Sequence, residues 1–565
     1  MSRLRGWPLV RLGLALLGLN ALLTFANLWP GIGVVPQLRV SVELALLVVV
    51  LALCVRFARG PSPRMAGVLA VIVSFGVLWR YADVTSRALL GRPVNLYWDG
   101  QHAWQVLRMA GAEQAWFALG GGLLAGVLLI WLLFLLLRTL IRWCAQGLHH
   151  SPAQPALPLA ALVLVLAWLI APRLGLPVHQ VFAEPVSGSM AKQVRAMARS
   201  ISPERLDASL PASPAFDRDL SVLAGSDVVV LFLEAYGAIT LDDPHIRESL
   251  SPAREVLARA ISGSDRSVVS ARVVSPTFGG ASWLAHAALL SGLDTREPDV
   301  YAGLLRSRRS SLVSHFSAHG YRTVAWVPGI QRPWPEGRFW GFDRYAELDT
   351  LGYRGPGFGY WQVPDQAAMA LLERDELSAG ARQRSPAPRF VMFPTVSTHA
   401  PFAPLAPLVS DWAALAAGTA YRPAEREAAL AVPEDWTQPT PQYIAAFQYT
   451  LGWLSGFIAE RADPDLVLIV IGDHQPIGAV TGPGAPWDVP VHVVSRNTEL
   501  LTRLRDEGFV DGLQPPDRPL APMQALTPLL LRVFGDARPP GPVNPHDADA
   551  AARAATRAIV PSAGA

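Results

Sequence analysis

The first third of the chain carries five long apolar stretches separated by short polar segments. A helix that spans a bilayer needs about 20 mostly apolar residues, and the stretch from Trp116 to Leu137 contains no charged residue. Arg11 and Asn20 interrupt the first stretch, and no small-residue cleavage site follows it, which argues against a cleavable signal peptide. Five such stretches in succession favour membrane spans over the buried helices of a soluble domain. The predicted spans are residues 7–29, 40–56, 66–82, 115–137 and 156–172.

The positions of the arginines predict the orientation of these spans. Basic residues collect in cytoplasmic loops, and here they precede span one, lie between spans two and three, and follow span four. An odd number of spans then places the N-terminus in the cytoplasm and everything after residue 173 outside it. The loop 83–114 is also predicted outside, where Tyr97, Trp98 and Trp104 suit an interfacial segment. The basic residues in question are Arg3, Arg5, Arg56, Arg59, Arg64, Arg138 and Arg142.

Beyond the spans the pattern changes twice. Residues 173–215 are mostly polar and include one amphipathic helical stretch at 190–205, which predicts a juxtamembrane linker after the membrane domain of residues 1–172. From residue 216 to 545, short buried runs of β-branched residues alternate with helical segments, which is typical of an α/β domain with a mostly parallel sheet. The last 20 residues, 546–565, are an alanine-rich tail. The predicted strands are 227–235, 267–274, 322–327, 389–396, 465–472 and 489–495.

Composition agrees with a membrane protein and excludes several classes. Hydrophobic residues make up 51% and charged residues 16% of the chain, and its mean hydropathy is +0.28; soluble domains carry about 25% charged residues. A net charge of +3 provides no bulk attraction for polyanions, so no nucleic-acid partner is expected. The two cysteines, Cys54 and Cys144, lie in or beside apolar stretches and offer no disulfide framework to an exported domain.

Acidic and imidazole side chains follow two of the predicted strands. Glu234 ends the first strand, and Asp473 with His474 ends the fifth. In open parallel sheets, ligands bind beyond the carboxyl ends of the strands. A carboxylate after a buried strand is costly unless it is paired or bound to a metal, and an Asp-His pair offers one cation an oxygen and a nitrogen. The ordinary alternative is that each is an exposed residue just past its strand.

A glycine-rich turn follows the second predicted strand. In the segment SPTFGGASWLAHAALLSG (275–292), Gly279 and Gly280 permit a tight turn, and Ser282 opens a helix that runs to Leu290. The ordinary interpretation of Ser282 is an N-cap. The positive field at a helix start also suits a developing alkoxide and an incoming anion. His286 lies one turn further on the same face, where it would contact a substrate phosphate, protonate a leaving group, or simply bond to a neighbouring loop.

These three features together resemble the membrane-bound sulfatase-like branch of the alkaline phosphatase superfamily, which contains lipoteichoic acid synthases and phosphoethanolamine transferases. Five spans followed by one extracytoplasmic α/β domain is also the layout of that branch, so the resemblance covers nearly the whole chain. It implies that Glu234, Asp473 and His474 bind a metal ion together with Ser282. It further implies that Ser282 is the nucleophile, and that His399, in the segment STHAPF, contacts the substrate phosphate.

The sequence departs from the pattern of this branch at several positions. The usual nucleophile is threonine, and Thr277 lies close enough in sequence to be an alternative to Ser282. In the segment 325–343, Trp334 matches an aromatic residue that the branch uses for substrate binding, whereas Arg338 matches only loosely and the expected histidine is absent. The C/S-x-P-x-R motif of formylglycine sulfatases is also absent around Ser282, which argues against a sulfatase of that type.

The resemblance implies a metal-dependent transferase in a bacterial inner membrane, with its catalytic domain in the periplasm or outside the cell. One divalent ion, Mn²⁺ or Zn²⁺, would lower the pKa of the Ser282 hydroxyl. Ser282 would take a phospho-alcohol group, phosphoglycerol-like, from a membrane phospholipid and pass it to a glycan or lipid acceptor.

The alternatives are a phosphoethanolamine transferase, a phosphodiesterase or sulfatase-like hydrolase, and an inactive membrane scaffold. A transporter is disfavoured because the spans hold almost no ionisable residues. His492 alternates along a predicted strand and is interpreted as structural. The aromatic residues that would line a glycan or lipid cleft, or simply pack in the core, are Trp283, Trp334, Trp340, Tyr360 and Trp361.

Overall fold

The protein is described from a computed structural model, in which part of the predicted outer loop and the C-terminal tail lie outside the described residues. Tyr97, Trp98 and Trp104, the arginines at 3, 5 and 59, and the predicted tail 546–565 are among those outside. The structure describes residues 7–28, 33–58, 60–90, 92–96, 99–100, 116–150, 155–201, 210–331, 334–482 and 484–537.

Each of the five apolar stretches forms a helix. Four of them, α1, α3, α4 and α5, are long and apolar enough to cross a membrane. The apolar span of α5 continues through a short 3₁₀ turn to Leu174 and has 19 residues, whereas α2 has 17, so a fifth span at α2 remains a prediction. A hairpin of two short strands, Ala26–Leu28 and Gly33–Val35, follows α1. The helices are α1 (Trp7–Thr24), α2 (Val42–Ala58), α3 (Pro63–Leu90), α4 (Trp116–His150) and α5 (Ala156–Ile170).

The segment predicted as a linker is attached to the membrane helices over most of its described length. It contains the helix α6 (Val186–Ile201), whose first turn is held at Ser187: the backbone N–H and the hydroxyl both donate to Glu43 of α2, at 3.0 and 2.9 Å. Two residues further, Ser189 accepts the indole N–H of Trp79 of α3 at 3.1 Å. The chain therefore leaves the membrane helices along a fixed path rather than as a free tether.

The second half of the chain forms one nine-stranded sheet with helices on both faces. All six predicted strands are present, and three short strands join them at the edges. The strand order is β8-β2-β7-β6-β1-β5-β3-β4, with β9 beside β2. The strands are β1 (Val228–Leu233), β2 (Ser267–Val274), β3 (Arg322–Trp326), β4 (Arg344–Ala346), β5 (Arg389–Pro394), β6 (Val467–Gly472), β7 (Asp488–Ser495), β8 (Val510–Asp511) and β9 (Ala521–Pro522).

The sheet is mostly parallel, as predicted. The five neighbours β6, β1, β5, β3 and β4 all run in one direction, whereas β7 runs against β6 and β2 runs against β7. Alternate residues of β1 enter two different cores: Val230 and Phe232 lie on one face, and Val229 and Leu231 on the other. Burial on both faces explains the continuous apolar run in the sequence. The register places the carboxyl ends of β6, β1 and β5 side by side.

Thirteen α-helices surround the sheet within residues 210–331, 334–482 and 484–537. They are α7 (Ile239–Asp242), α8 (Pro244–Gly263), α9 (Ser282–Ser291), α10 (Pro298–Arg306), α11 (Leu312–Ala318), α12 (Asp365–Leu372), α13 (Ala379–Arg384), α14 (Trp412–Ala417), α15 (Pro423–Leu430), α16 (Thr440–Glu460), α17 (Gly478–Thr481), α18 (Thr498–Asp506) and α19 (Leu526–Phe534).

The number of spans decides on which side of the membrane the α/β domain lies. With five spans and the arginines inside, a phosphatase reporter fused to the C-terminus is expected to be active outside the cytoplasm. The same reporter fused after α3 should also be active there. A C-terminal fusion that is active only in the cytoplasm would contradict the five-span prediction and indicate that α2 does not cross.

Candidate metal and nucleophile site

Three potential metal ligands meet at the carboxyl edge of the sheet. Glu234 directly follows β1, and Asp473 and His474 directly follow its neighbour β6. One ligand atom from each lies within 4.8 Å of the others. Their side chains are only 6%, 1% and 2% exposed. The alternative of exposed residues past a strand end therefore does not describe these positions.

The backbone at the two strand ends is shaped to bring these side chains together. Ala235, immediately after Glu234, has a φ of 54°, and its N–H donates to Asp473 Oδ1 at 2.8 Å. Gly472, immediately before Asp473, lies so close to the neighbouring chain that a Cβ there would be 1.9 Å from the carbonyl oxygen of Tyr236. Only glycine permits this approach. A strained residue on one strand and a glycine on the next thus fix the two carboxylates.

Ser282, at the end of the turn that follows β2, also lies at the cluster. The turn before it has three consecutive positive φ angles, 61° at Gly279, 135° at Gly280 and 60° at Ala281, and α9 then begins. Ser282 Oγ donates to Glu234 Oε2 at 2.9 Å and lies 3.1 Å from His474 Nε2. The N-cap position belongs to Ala281, so the interpretation of Ser282 as an N-cap is wrong: its hydroxyl points to the cluster instead.

The donor atoms fit a divalent cation. Asp473 Oδ1 accepts two backbone N–H groups, from Ala235 and His474, whereas Asp473 Oδ2 is buried without any hydrogen-bond partner. Such an orphaned oxygen is rare in proteins and calls for an explanation. His474 Nδ1 donates to the carbonyl of Gln475 at 2.7 Å, which leaves Nε2 facing Glu234 Oε1 at 3.2 Å. Two carboxylates and one imidazole nitrogen around one point suit Mn²⁺ or Zn²⁺.

The pKa shifts of Glu234 and His474 indicate that the cluster favours bound positive charge. Burial by itself raises the pKa of Glu234, but the positive charge of His474 holds that pKa below its usual range. Burial and the Glu234 carboxylate raise the pKa of Asp473. Burial alone would lower the pKa of His474, yet the two carboxylates raise it to about 9. A divalent cation on these atoms would take the place of protons bound there.

His399 lies in a loop that is tied directly to Glu234. The loop follows β5, where Thr395 Oγ1 accepts the N–H of Glu234 at 3.0 Å and Thr398 Oγ1 donates to the carbonyl of Glu234. His399 Nδ1 donates to its neighbour's carbonyl at 2.7 Å, and its ring lies 4.7 Å from that of Trp361. The structure therefore ties the loop that carries His399 to Glu234, and the phosphate contact of His399 stays a prediction.

Two further sequence candidates differ in their surroundings. The hydroxyl of Thr277 donates to the carbonyl of Gly280 at 2.6 Å and so closes the turn before Ser282. His286 packs against Phe232, with ring centres 4.4 Å apart, and its Nε2 is buried without a hydrogen-bond partner. Burial lowers the pKa of His286 to about 4, so its ring is neutral near pH 7.

The substrate-binding role of Trp334 and Arg338 stays a prediction. Trp334 packs against Tyr345, with ring centres 6.3 Å apart, and Arg338 is an exposed residue that forms no ion pair among the described residues. Trp340 is buried in the core. His492 is buried between the hydroxyls of Tyr236 and Ser270, in agreement with its structural interpretation.

Trp361 and Tyr360 line a cleft together with His399. The cleft also contains Phe358, and the exposed carboxylate of Glu434 lies at its rim. Trp283 is partly buried and packs against the core on the α9 side of the sheet.

Sequence reasoning missed the residue that holds the His399 loop. Asp365 is fully buried, and its two carboxylate oxygens accept the N–H groups of Val396 and Ser397, each at 2.8 Å. Burial raises the pKa of Asp365 to about 6 despite these bonds. Its only signal in the sequence is an acidic residue after a proline, which is also the ordinary start of a helix. Asp365 is therefore a positioning residue for His399.

Asp365→Asn is expected to loosen this loop. Asparagine offers one acceptor oxygen in place of two, so one buried N–H loses its partner at a cost of about 1–3 kcal/mol in the free energy of unfolding. Turnover should fall because His399 is no longer held, and thermal unfolding together with kcat/KM measures both effects. The exposed Asp349→Asn is the matched control. Unchanged stability and turnover in Asp365→Asn would contradict the positioning role.

No protein-family model matches the chain, and comparison with curated proteins finds no relative by sequence. Among solved structures, the chain is similar to an integral membrane lipooligosaccharide phosphoethanolamine transferase from Neisseria meningitidis, at 13% identity over 86% of this chain and 87% of that one, with a TM-score of 0.42.

It is also similar to a phosphoglycerol transferase from Streptococcus pyogenes, solved with sn-glycerol-1-phosphate, at 13% identity over 63% of this chain and 90% of that one, with a TM-score of 0.34. A third similar structure is a protein in the alkaline phosphatase superfamily from Vibrio parahaemolyticus, at 16% identity over 60% and 73% of the two chains and a TM-score of 0.36. These likenesses are distant, so the functional argument rests on the residues of the site.

Proposed function

We propose that this chain is a metal-dependent transferase that moves a phospho-alcohol group from a membrane phospholipid to a glycan or lipid acceptor outside the cytoplasm. One observation carries the proposal: a serine hydroxyl at the start of a helix contacts both an acidic and an imidazole member of a buried three-ligand cluster. That arrangement combines an activated nucleophile with electrostatic stabilisation of an added negative charge.

The metal ligands, the serine and the histidine of the site each have a separate proposed role. Glu234, Asp473 and His474 hold the cation, which when bound lowers the pKa of the serine hydroxyl and stabilises charge on the phosphoryl oxygens. Ser282 attacks phosphorus from its place at the first position of α9, where free backbone N–H groups face the incoming anion. His399 would contact the phosphate from the opposite loop, which its neighbour Thr398 ties to Glu234.

The reaction proceeds in two displacements. In the first, the bond between Ser282 Oγ and phosphorus forms as the bond from phosphorus to the diacylglycerol oxygen breaks; the serine proton leaves and the alcohol gains a proton. In the second, the acceptor oxygen bonds to phosphorus, the serine ester breaks, and Ser282 regains a proton. His286 and His399 are the candidates for these transfers, since the imidazole of each interacts electrostatically with Glu234.

Water in place of the acceptor would make the same site a phosphodiesterase. The headgroup is proposed to be phosphoglycerol-like, with phosphoethanolamine as the second candidate, for which the acidic rim at Glu434 beside aromatic rings is suited. An inactive scaffold is disfavoured because nothing structural requires a buried Asp473 Oδ2 without a partner.

The covalent intermediate provides the direct test. Full-length protein in detergent is incubated with total membrane phospholipid, and the peptide that contains Ser282 is analysed by mass spectrometry. The expected result is a phospho-alcohol adduct on Ser282 that disappears in the Ser282→Ala variant, and its mass identifies the headgroup. Lipid turnover without any adduct on this peptide would contradict the proposed intermediate.

A further inference from the structure

We propose that the end of membrane helix α3 docks on the loop that carries Asp473 and His474, and that this contact holds the active site at a fixed height over the bilayer. The inference rests on the proposed function and adds a positioning residue, Gly478, outside the metal and nucleophile cluster. Through this contact the enzyme would act on a donor whose acyl chains remain in the membrane.

The contact is backbone against backbone. A Cβ at Gly478 would lie 2.0 Å from the carbonyl oxygen of Ala88 and 3.3 Å from that of Leu89, in the last turn of α3. No side-chain adjustment relieves such a clash, because both neighbours are backbone atoms. The backbone of Gly478 is not in the left-handed region, so its conformation does not call for glycine. The close approach of α3 is therefore what requires glycine here.

The loop between this contact and the cluster is short and rigid. Every residue from Asp473 to Gly478 is buried. The carbonyl of Gln475 accepts hydrogen bonds from His474 Nδ1 at 2.7 Å and from the N–H of Gly279 at 3.0 Å. One peptide group thus links a metal ligand to the turn that presents Ser282. These bonds lie within the α/β domain and do not involve Gly478, so loss of the α3 contact leaves the ligand and the turn in place.

A second contact fixes the orientation of the domain. The helix α6, itself held by Trp79 of α3 through Ser189, packs against α10 of the α/β domain. Two separate attachments to α3, one through α6 and one through Gly478, prevent the domain from pivoting about either. Because the predicted topology places the end of α3 at the outer surface of the membrane, the loop that carries the ligands would lie beside the outer leaflet.

The experiment separates docking from catalysis by using two substrates. Full-length Gly478→Val in lipid vesicles is assayed with a long-chain phospholipid donor in the same bilayer and with water-soluble bis(4-nitrophenyl) phosphate. We expect at least a tenfold loss of turnover on the bilayer donor, whereas turnover of the soluble ester and metal content stay within twofold of the unsubstituted protein. Gly263→Val is the matched control, since no atom lies within 4 Å of the Cβ position at Gly263.

Equal losses on both substrates, or loss of metal, would overturn the inference, because Gly478 would then merely support the metal loop. Unchanged turnover on both would overturn it as well. If the unsubstituted protein turns over neither substrate, the proposed function is contradicted, and so is the role of Gly478 in positioning the active site.

Disulfide trapping tests the contact without any activity. Leu89→Cys with Ala479→Cys, in a chain whose Cys54 and Cys144 are replaced by alanine, should cross-link in native membranes, as should the bridge partners Val40→Cys and Phe182→Cys. Cross-linking of the second pair alone would overturn the docking of α3, whatever the activity measurements give.

Discussion

Ser282→Ala is expected to abolish turnover while metal binding and the fold remain. The substitution removes a single oxygen at the start of α9, and with it the bond to phosphorus on which both displacements depend. Loss of a catalytic nucleophile typically lowers kcat by roughly 10⁴-fold or more. Because Ser282 is not the cap of its helix, the variant loses only the hydrogen bonds to Glu234 and His474, about 1 kcal/mol in the free energy of unfolding. Steady-state kinetics and thermal unfolding measure the two quantities.

Thr277→Val is the control for this prediction. It removes the only other hydroxyl that the sequence offers as a nucleophile, and it should weaken the turn by losing the bond to Gly280 while most turnover remains. Ser282→Thr should retain part of the activity, because threonine supplies the same hydroxyl with one more methyl group. An inactive Thr277→Val beside an active Ser282→Ala would show that the nucleophile is Thr277.

Removal of the metal ligands is expected to lower turnover about as much as Ser282→Ala does. The purified protein should contain one divalent ion per chain, and Asp473→Asn combined with His474→Ala should lose it along with turnover. Asparagine keeps an oxygen for the two N–H groups that Asp473 Oδ1 accepts, so the loop should retain its backbone geometry. Elemental analysis measures the metal, and adding Mn²⁺ or Zn²⁺ back to chelated protein identifies the active ion.

The matched variant Asp465→Asn alters an exposed carboxylate at the opposite end of the same strand, β6. It should keep both the metal and the activity. A double variant of Asp473 and His474 that retained a full complement of metal would show that the ligands lie elsewhere. Full activity of the chelated protein would contradict metal dependence altogether.

The positions of the strands, and the edge of the sheet at which the site lies, were predictable because a buried strand is a continuous apolar run in the sequence. The runs at β1 and β6 are apolar without interruption, so the polar residue that ends each run stands out as Glu234 and Asp473. The two strands were predicted separately, and the parallel sheet rule placed their ends on one edge.

Other features left no such signal. The reversed direction of β7 is set by the chain path over the sheet, and its apolar alternation is the same in either direction. Asp365 and the close approach at Gly478 depend on contacts between residues far apart in sequence. The length of α2 was predictable as an apolar stretch, but composition alone does not decide whether 17 residues cross a membrane.

Two alanines at the site, both with positive φ, set limits on how this protein can be stabilised. Ala235 follows a metal ligand and Ala281 precedes the nucleophile, and each occupies a backbone conformation that costs on the order of 1–3 kcal/mol for a residue with a side chain. Glycine at either position would relieve that strain, and stabilising substitutions of this kind are routinely sought for thermal tolerance. The same change would free the turn to sample other conformations. At these two residues, heat resistance and the geometry of the reacting groups are therefore opposing goals for an engineer.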